Sequence, residues 1–166
     1  TLNATTGAYT VTQNAPILHA AGSDENNQAF TVNYQVTDKD GDTADGTLSI
    51  DVDDDTPTVS ANGLVQLDDD ALSGGIAGGT NDDTDAANVS GTLGHNFGAD
   101  GAGTVAYLTT GAPAGFSYVP SGTSLLIKQG ETTVLTLTLN ATTGAYTVTQ
   151  NAPILHAAGS TENNQA

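Results

Sequence analysis

Short runs of alternating apolar and polar residues mark this chain. Phe30, Val32, Tyr34 and Val36 fall on one side of an extended backbone, with Thr31, Asn33 and Gln35 on the other. Leu48, Ile50 and Val52 repeat the alternation, as do Leu135, Leu137 and Leu139. A period of two is the signature of a strand with one buried face. Tyr9 and Val11, which recur as Tyr146 and Val148, sit among threonines that also suit a pleated surface. Turn signals punctuate these runs at Thr6-Gly7, Asp40-Gly41, Asp45-Gly46, Pro113-Ala114-Gly115 and Ser121-Gly122. No segment carries a 3.6-residue apolar period. The pattern predicts an all-β sandwich with the Tyr, Phe and Leu stripes as its core.

A long internal repeat overlays this pattern. Residues 1–29 return as 138–166 with one change, Asp24 to Thr161, at an offset of 137. That period is too long for a solenoid, whose units run about 20–50 residues, and suits a string of domains. The chain starts in mid-pattern and reads as a segment of a tandem array. Interchangeable copies favour a spacing role over an enzyme with one unique site. An Ig-like sandwich needs about seven strands. Residues 88–166 supply about five, and the remaining two, 30–36 and 47–52, lie upstream. Two solutions stay open: a domain split in sequence within one chain, or strands exchanged between two chains as a dimer.

Composition changes the picture in two ways. Leu, Ile, Val and Phe number 33 of 166 residues, just under the roughly 20% below which charged chains tend to disorder. The alternation and the clustering of the acids argue for a fold instead. Two lysines, Lys39 and Lys128, stand alone against 16 Asp and 3 Glu, for a net charge of −17. So few cations cannot displace counterions from phosphates, which excludes nucleic acid as a partner. No apolar run reaches the ~18 residues of a membrane span. With no cysteine there is neither a disulfide frame nor a thiolate metal site.

The acids are not spread evenly. Fourteen of the 16 Asp lie between 38 and 85, where Lys39 is the only cation, so this stretch carries −13. Acid-rich disorder usually mixes Glu with Lys and Ser; this acid is Asp, set beside Gly, Thr and Asn. Calcium takes six to eight oxygens at about 2.3–2.6 Å, and Asp in tight loops meets that demand. Magnesium wants a stricter octahedron and keeps its waters, so calcium is the better match. Zinc would want clustered histidines, but His19, His95 and His156 are scattered. The expected metal ligands are Asp38, Asp40 and Asp42; Asp51, Asp53, Asp54 and Asp55; and Asp68, Asp69 and Asp70. The first group is not an EF-hand, because its glycine is early and Ser49 stands where that loop needs Glu. The second, Asp51-Val52-Asp53-Asp54-Asp55-Thr56-Pro57, follows a strand and ends in a proline that stops it. It resembles the calcium-chelating junction between cadherin domains, with Asp in place of two Asn.

The chain as a whole resembles the repeat modules of very large bacterial RTX adhesins exported by type I secretion. The resemblance rests on TLTLNATTGAYTVTQNAP (136–153), FTVNYQVTDKDGDTADGTLSIDVDDDTP (30–57) and NFGADGAGTV (96–105). It implies Ig-like extenders, calcium at loops and junctions, and an extracellular place on a bacterial cell surface. Their role is to space a distal ligand-binding region from the cell during adhesion and biofilm formation. On this reading residues 1–57 end one repeat at an Asp-rich junction. Residues 58–166 begin the next repeat but lack its last strands. Neighbouring repeats of the same chain and calcium ions are then the partners.

A carbohydrate- or protein-binding sandwich is the alternative. Such modules present exposed aromatics, and Tyr107, Phe116 and Tyr118 near Gly and Pro turns are the candidates. An enzyme is the third reading and is not expected. There is no grouped Ser, His and Asp, and the carboxylates cluster too densely for a single acid/base pair.

Overall fold

The computed structural model describes residues 1–20, 22, 26–78, 82, 84 and 86–156. Asp83, Asp85 and the end of the second repeat copy, 157–166, lie outside the described residues. The protein is all-β, with antiparallel pairing in the β1–β2 hairpin and the five-stranded sheet, consistent with an all-β sandwich fold. Among the described residues the one helical turn is a 3₁₀ turn at Asp69–Ala71. The chain divides into two compact units. One comprises Thr1–Thr58 with Asn96–Ala102, the other Val59–His95 with the residues from Gly103 onward.

The first unit is built on a hairpin of β1 (Gln28–Thr37) and β2 (Thr43–Val52). Its register runs from Gln28 opposite Val52 to Thr37 opposite Thr43. The stripe expected as core does not end up buried: Phe30, Val32, Tyr34 and Val36 are 42–58% exposed. Two strands alone have no second layer to bury a face, which is why isolated hairpins are marginal in water. Asp45-Gly46 is also not a turn. It lies inside β2, where Gly46 pairs with Tyr34 and the tyrosine ring occupies the space a Cβ would fill.

Two two-residue strands, β3 (Thr58–Val59) and β5 (His95–Asn96), pair with each other. The second unit holds a five-stranded sheet in the order β4-β9-β8-β7-β6. Its strands are β4 (Asn88–Thr92), β6 (Phe116–Ser121), β7 (Ser124–Gln129), β8 (Thr132–Leu139) and β9 (Ala145–Gln150). Two-residue loops join β6 to β7 and β7 to β8, each opening on a positive-φ glycine, Gly122 and Gly130. That backbone matches the twist of adjacent antiparallel strands. Pro120 sits in β6 at the sheet edge, where a missing N–H breaks no ladder.

Leu125, Val134, Leu139 and Val148 form the core of this sheet. Val134 is the most buried at 1% exposure, although it is off the Leu135, Leu137, Leu139 alternation. The register between β7 and β8 shifts at Ile127/Lys128, passing from Leu135 to Thr133 and leaving Val134 as the extra residue of a bulge. The bulge re-aims that side chain. Its carbonyl still accepts a bond from the Asn151 amide, at 2.8 Å.

Candidate metal centres

The β1–β2 connection, Asp38-Lys39-Asp40-Gly41-Asp42, is short enough to turn its carboxylates toward one another. Asp38 Oδ1 accepts hydrogen bonds from the amides of Gly41 (3.0 Å) and Asp42 (2.8 Å). The Asp38 amide closes the loop by donating to the Asp42 carbonyl at 2.9 Å. Gly41 takes φ +103°, a conformation other residues avoid. The result brings one carboxylate oxygen each of Asp38, Asp40 and Asp42 within 4.8 Å of one another, all exposed. A side-chain hydrogen bond with Asp40, then the Asp42 amide, holds the Asp38 carboxyl below its ordinary range; burial opposes this weakly.

Asp68, Asp70 and Asp82 form a second such group, again within 4.8 Å. Asp68 is the N-cap of the 3₁₀ turn, its Oδ1 accepting from the Asp70 amide at 2.9 Å. The Asp68 amide in turn donates to the Ala86 carbonyl at 2.9 Å. Asp82 was not among the ligands expected from sequence. The run Asp82-Asp83-Asp85 carried the signal, but only the fold brings Asp82 to Asp68 and Asp70.

Two oxygens bound to one calcium at about 2.4 Å each stand at most about 4.8 Å apart, so both groups are compact enough to share a single ion. Their donors are all carboxylate oxygens, the hard ligands calcium prefers. No histidine belongs to either group. His19 Nδ1 lies 2.6 Å from the Asn26 carbonyl, and His95 Nδ1 lies 2.7 Å from that of Leu93.

The remaining expected ligands have other partners. Asp69 ties the end of β9 to the 3₁₀ turn. Its Oδ1 accepts from Gln150 Nε2 and from the Ile154 amide (3.3 Å), and its Oδ2 lies 3.8 Å from His156 Nε2. Asp51 and Asp53 do share a face, as alternate residues of an extended segment must. Asn27 bridges them, its Nδ2 donating to Asp51 Oδ2 at 2.9 Å and to Asp53 Oδ1 at 2.7 Å. Sequence reasoning missed Asn27. The hairpin register supplies the reason, because Gln28 opposite Val52 sets Asn27 beside Asp53. Asp54 Oδ1 accepts from the Asp55 amide at 2.9 Å. Asp55 turns instead to the NFGADGA segment, where its Oδ2 accepts from the Ala99 amide at 2.6 Å. Among the described residues, no group of three carboxylates forms from Asp51, Asp53, Asp54 and Asp55.

The aromatic candidates are half-buried. Tyr107 Oη donates to the Thr138 carbonyl at 3.4 Å, and burial followed by the neighbouring Tyr146 pushes its hydroxyl above the ordinary tyrosine range. Phe116 and Tyr118 belong to β6. Among the described residues, no helix is long and apolar enough to cross a membrane. The chain matches no protein-family model, no curated protein and no solved structure.

Proposed function

We propose that this chain is a structural extender module of a large bacterial surface adhesin, stiffened by calcium and spacing a distal binding region from the cell. One observation carries the reading: two compact groups of three carboxylates among the described residues, in a chain with 19 acids and two lysines. Carboxylates that close repel one another unless a divalent ion sits between them. The near-identical copies at 1–29 and 138–166 support a repeated spacer, with residues 1–57 closing one module and 58–166 opening the next.

The test is thermal unfolding in calcium and in EGTA. A ligand bound only to the native state adds about 2.7 kcal/mol at a hundredfold excess over its Kd. For a chain of this size that is roughly 5–10 °C in Tm. Equal melting temperatures in the two conditions would reject the reading.

A further inference from the structure

The two repeat copies have the same sequence and different fates. In both, the Asn side chain builds the same turn: Asn3 Oδ1 accepts from the amides of Thr5 and Thr6, and Asn140 Oδ1 from those of Thr142 and Thr143, at 3.0 and 3.1 Å in each case. Gly7 and Gly144 close the two turns at φ +72° and +69°. The second copy then continues as β9, paired with β4 on one side and β8 on the other. Residues 1–20 of the first form no such strand, and their pairing is an isolated bridge between Leu2 and Tyr9. Leu2, Tyr9 and Val11 are 67%, 59% and 53% exposed, while Leu139 and Val148, the counterparts of Leu2 and Val11, are each 7% exposed.

The buried copy therefore shows what covers the exposed one. We propose that residues 1–19 are a spare copy of 138–156 and take the place of β9 in the five-stranded sheet of their own chain. Every contact of β9 has an identical donor or acceptor waiting in the first copy. Val11 replaces Val148 opposite Val89 and Leu137, and Thr10 replaces Thr147 opposite Ser90 and Thr138. The anchors beyond the strand are copied as well. Asn14 stands for Asn151, which bonds the Val134 carbonyl and Thr136 Oγ1, and Leu18 for Leu155, which bonds Gln129. Chain connectivity alone separates the two arrangements. β9 follows β8 through a five-residue turn, 140–144, whereas about 75 residues separate Gln13 from β4. Loop closure scaling as the 3/2 power of length favours β9 by about fifty-fold. The exchanged form is then a minor native state of a few per cent, and any lesion confined to β9 promotes it.

Val148→Asp places a carboxylate in the core of the sheet, a severe lesion if β9 has no substitute. With a substitute the loss in the folding equilibrium constant is capped near the fifty-fold cost of exchange. Val11→Asp alone should leave stability unchanged, and the double variant Val11→Asp/Val148→Asp should lose at least a further tenfold. If Val148→Asp is as unstable as the double variant, the proposal fails. A trap covers the case in which Val148→Asp does not fold. The chain has no native cysteine, and exchange sets Thr10 opposite Thr138, where paired strands bring Cα atoms to about 4.5–5.5 Å, within disulfide range. Oxidised Thr10→Cys/Thr138→Cys should form an intrachain disulfide slowly. Adding the β9-weakening but milder Val148→Ala should speed its formation several-fold. No intrachain disulfide in either background, or disulfides between chains only, overturns exchange within one chain.

Discussion

Val134 and Asp38 show how far one side chain can be placed by what surrounds it. Val134 is 1% exposed, so truncating it leaves a cavity the bulged strand cannot close easily. Val134→Ala should cost about 2 kcal/mol in denaturant unfolding. Val59→Ala, at a position 88% exposed, should stay within about 0.5 kcal/mol. Asp38 makes a prediction in pH. Its folded carboxyl is held below the ordinary value of 3.8 by the Asp40 side chain and the loop amides. A depressed carboxyl contributes stability that is present above the unfolded value and is lost as pH falls through the folded one. The 38–42 loop should therefore loosen only as pH falls below 3.8, and a carboxyl-detected NMR titration should place the Asp38 midpoint below that value. A midpoint at or above that value would remove the amide bonds from the account. Alternation in the sequence pointed to Leu135, Leu137 and Leu139 and passed over Val134, because a bulge inserts one residue and a period-two pattern cannot announce it.

Among the elements, the hairpin strands were legible and several strands of the large sheet were not. β1 and β2 alternate cleanly along their length, and their pairing contains 30–36 and 47–52. β7 reads Leu125-Leu126-Ile127, an apolar run with no period, and β6 contains a proline that speaks against a strand until its edge position is known. Glycine misled in a different way. Gly46 looked like a turn, yet inside β2 it makes room for the Tyr34 ring, and Gly91 in β4 does the same for Tyr146. An aromatic laid over a cross-strand glycine is a known way to steady that position. At the candidate sites, the acidic loop at 38–42 was visible as a run, whereas the group at 68, 70 and 82 needed the fold to join it. Gly98 offers the element-scale prediction. It has φ +82°, and a Cβ there would stand 2.6 Å from Asp55 Oδ2. Gly98→Ala should push Asp55 off the Ala99 amide and destabilise the first unit by about 1–2 kcal/mol. Unchanged amide exchange at Ala99 would show that this contact does not hold the segment.

At the scale of the whole molecule, a charge of −17 with two lysines sets two effects against each other. Self-repulsion opposes the compact state, and any salt relieves it by screening over about 10 Å at 0.1 M. A bound ion relieves it locally and saturates once the site is full. Both raise Tm, so a rise in calcium alone does not separate them. Asp38→Asn/Asp40→Asn/Asp42→Asn does, because the two effects then have opposite signs. Removing three negative charges from a purely repulsive surface raises Tm with or without calcium. Asn keeps the side-chain oxygen that accepts from the Gly41 and Asp42 amides, so the loop retains its internal bonds. If the group holds an ion, the triple variant should melt higher than the parent in EGTA and should gain less from calcium. Its calcium stoichiometry in isothermal titration should fall by one. Sodium chloride at matched ionic strength should lift both proteins together without saturating, and magnesium should lift them less than calcium, since it gives up its waters reluctantly. A triple variant that gains as much from calcium as the parent, with the same stoichiometry, would leave Asp38, Asp40 and Asp42 as solvated charge at the tip of a hairpin.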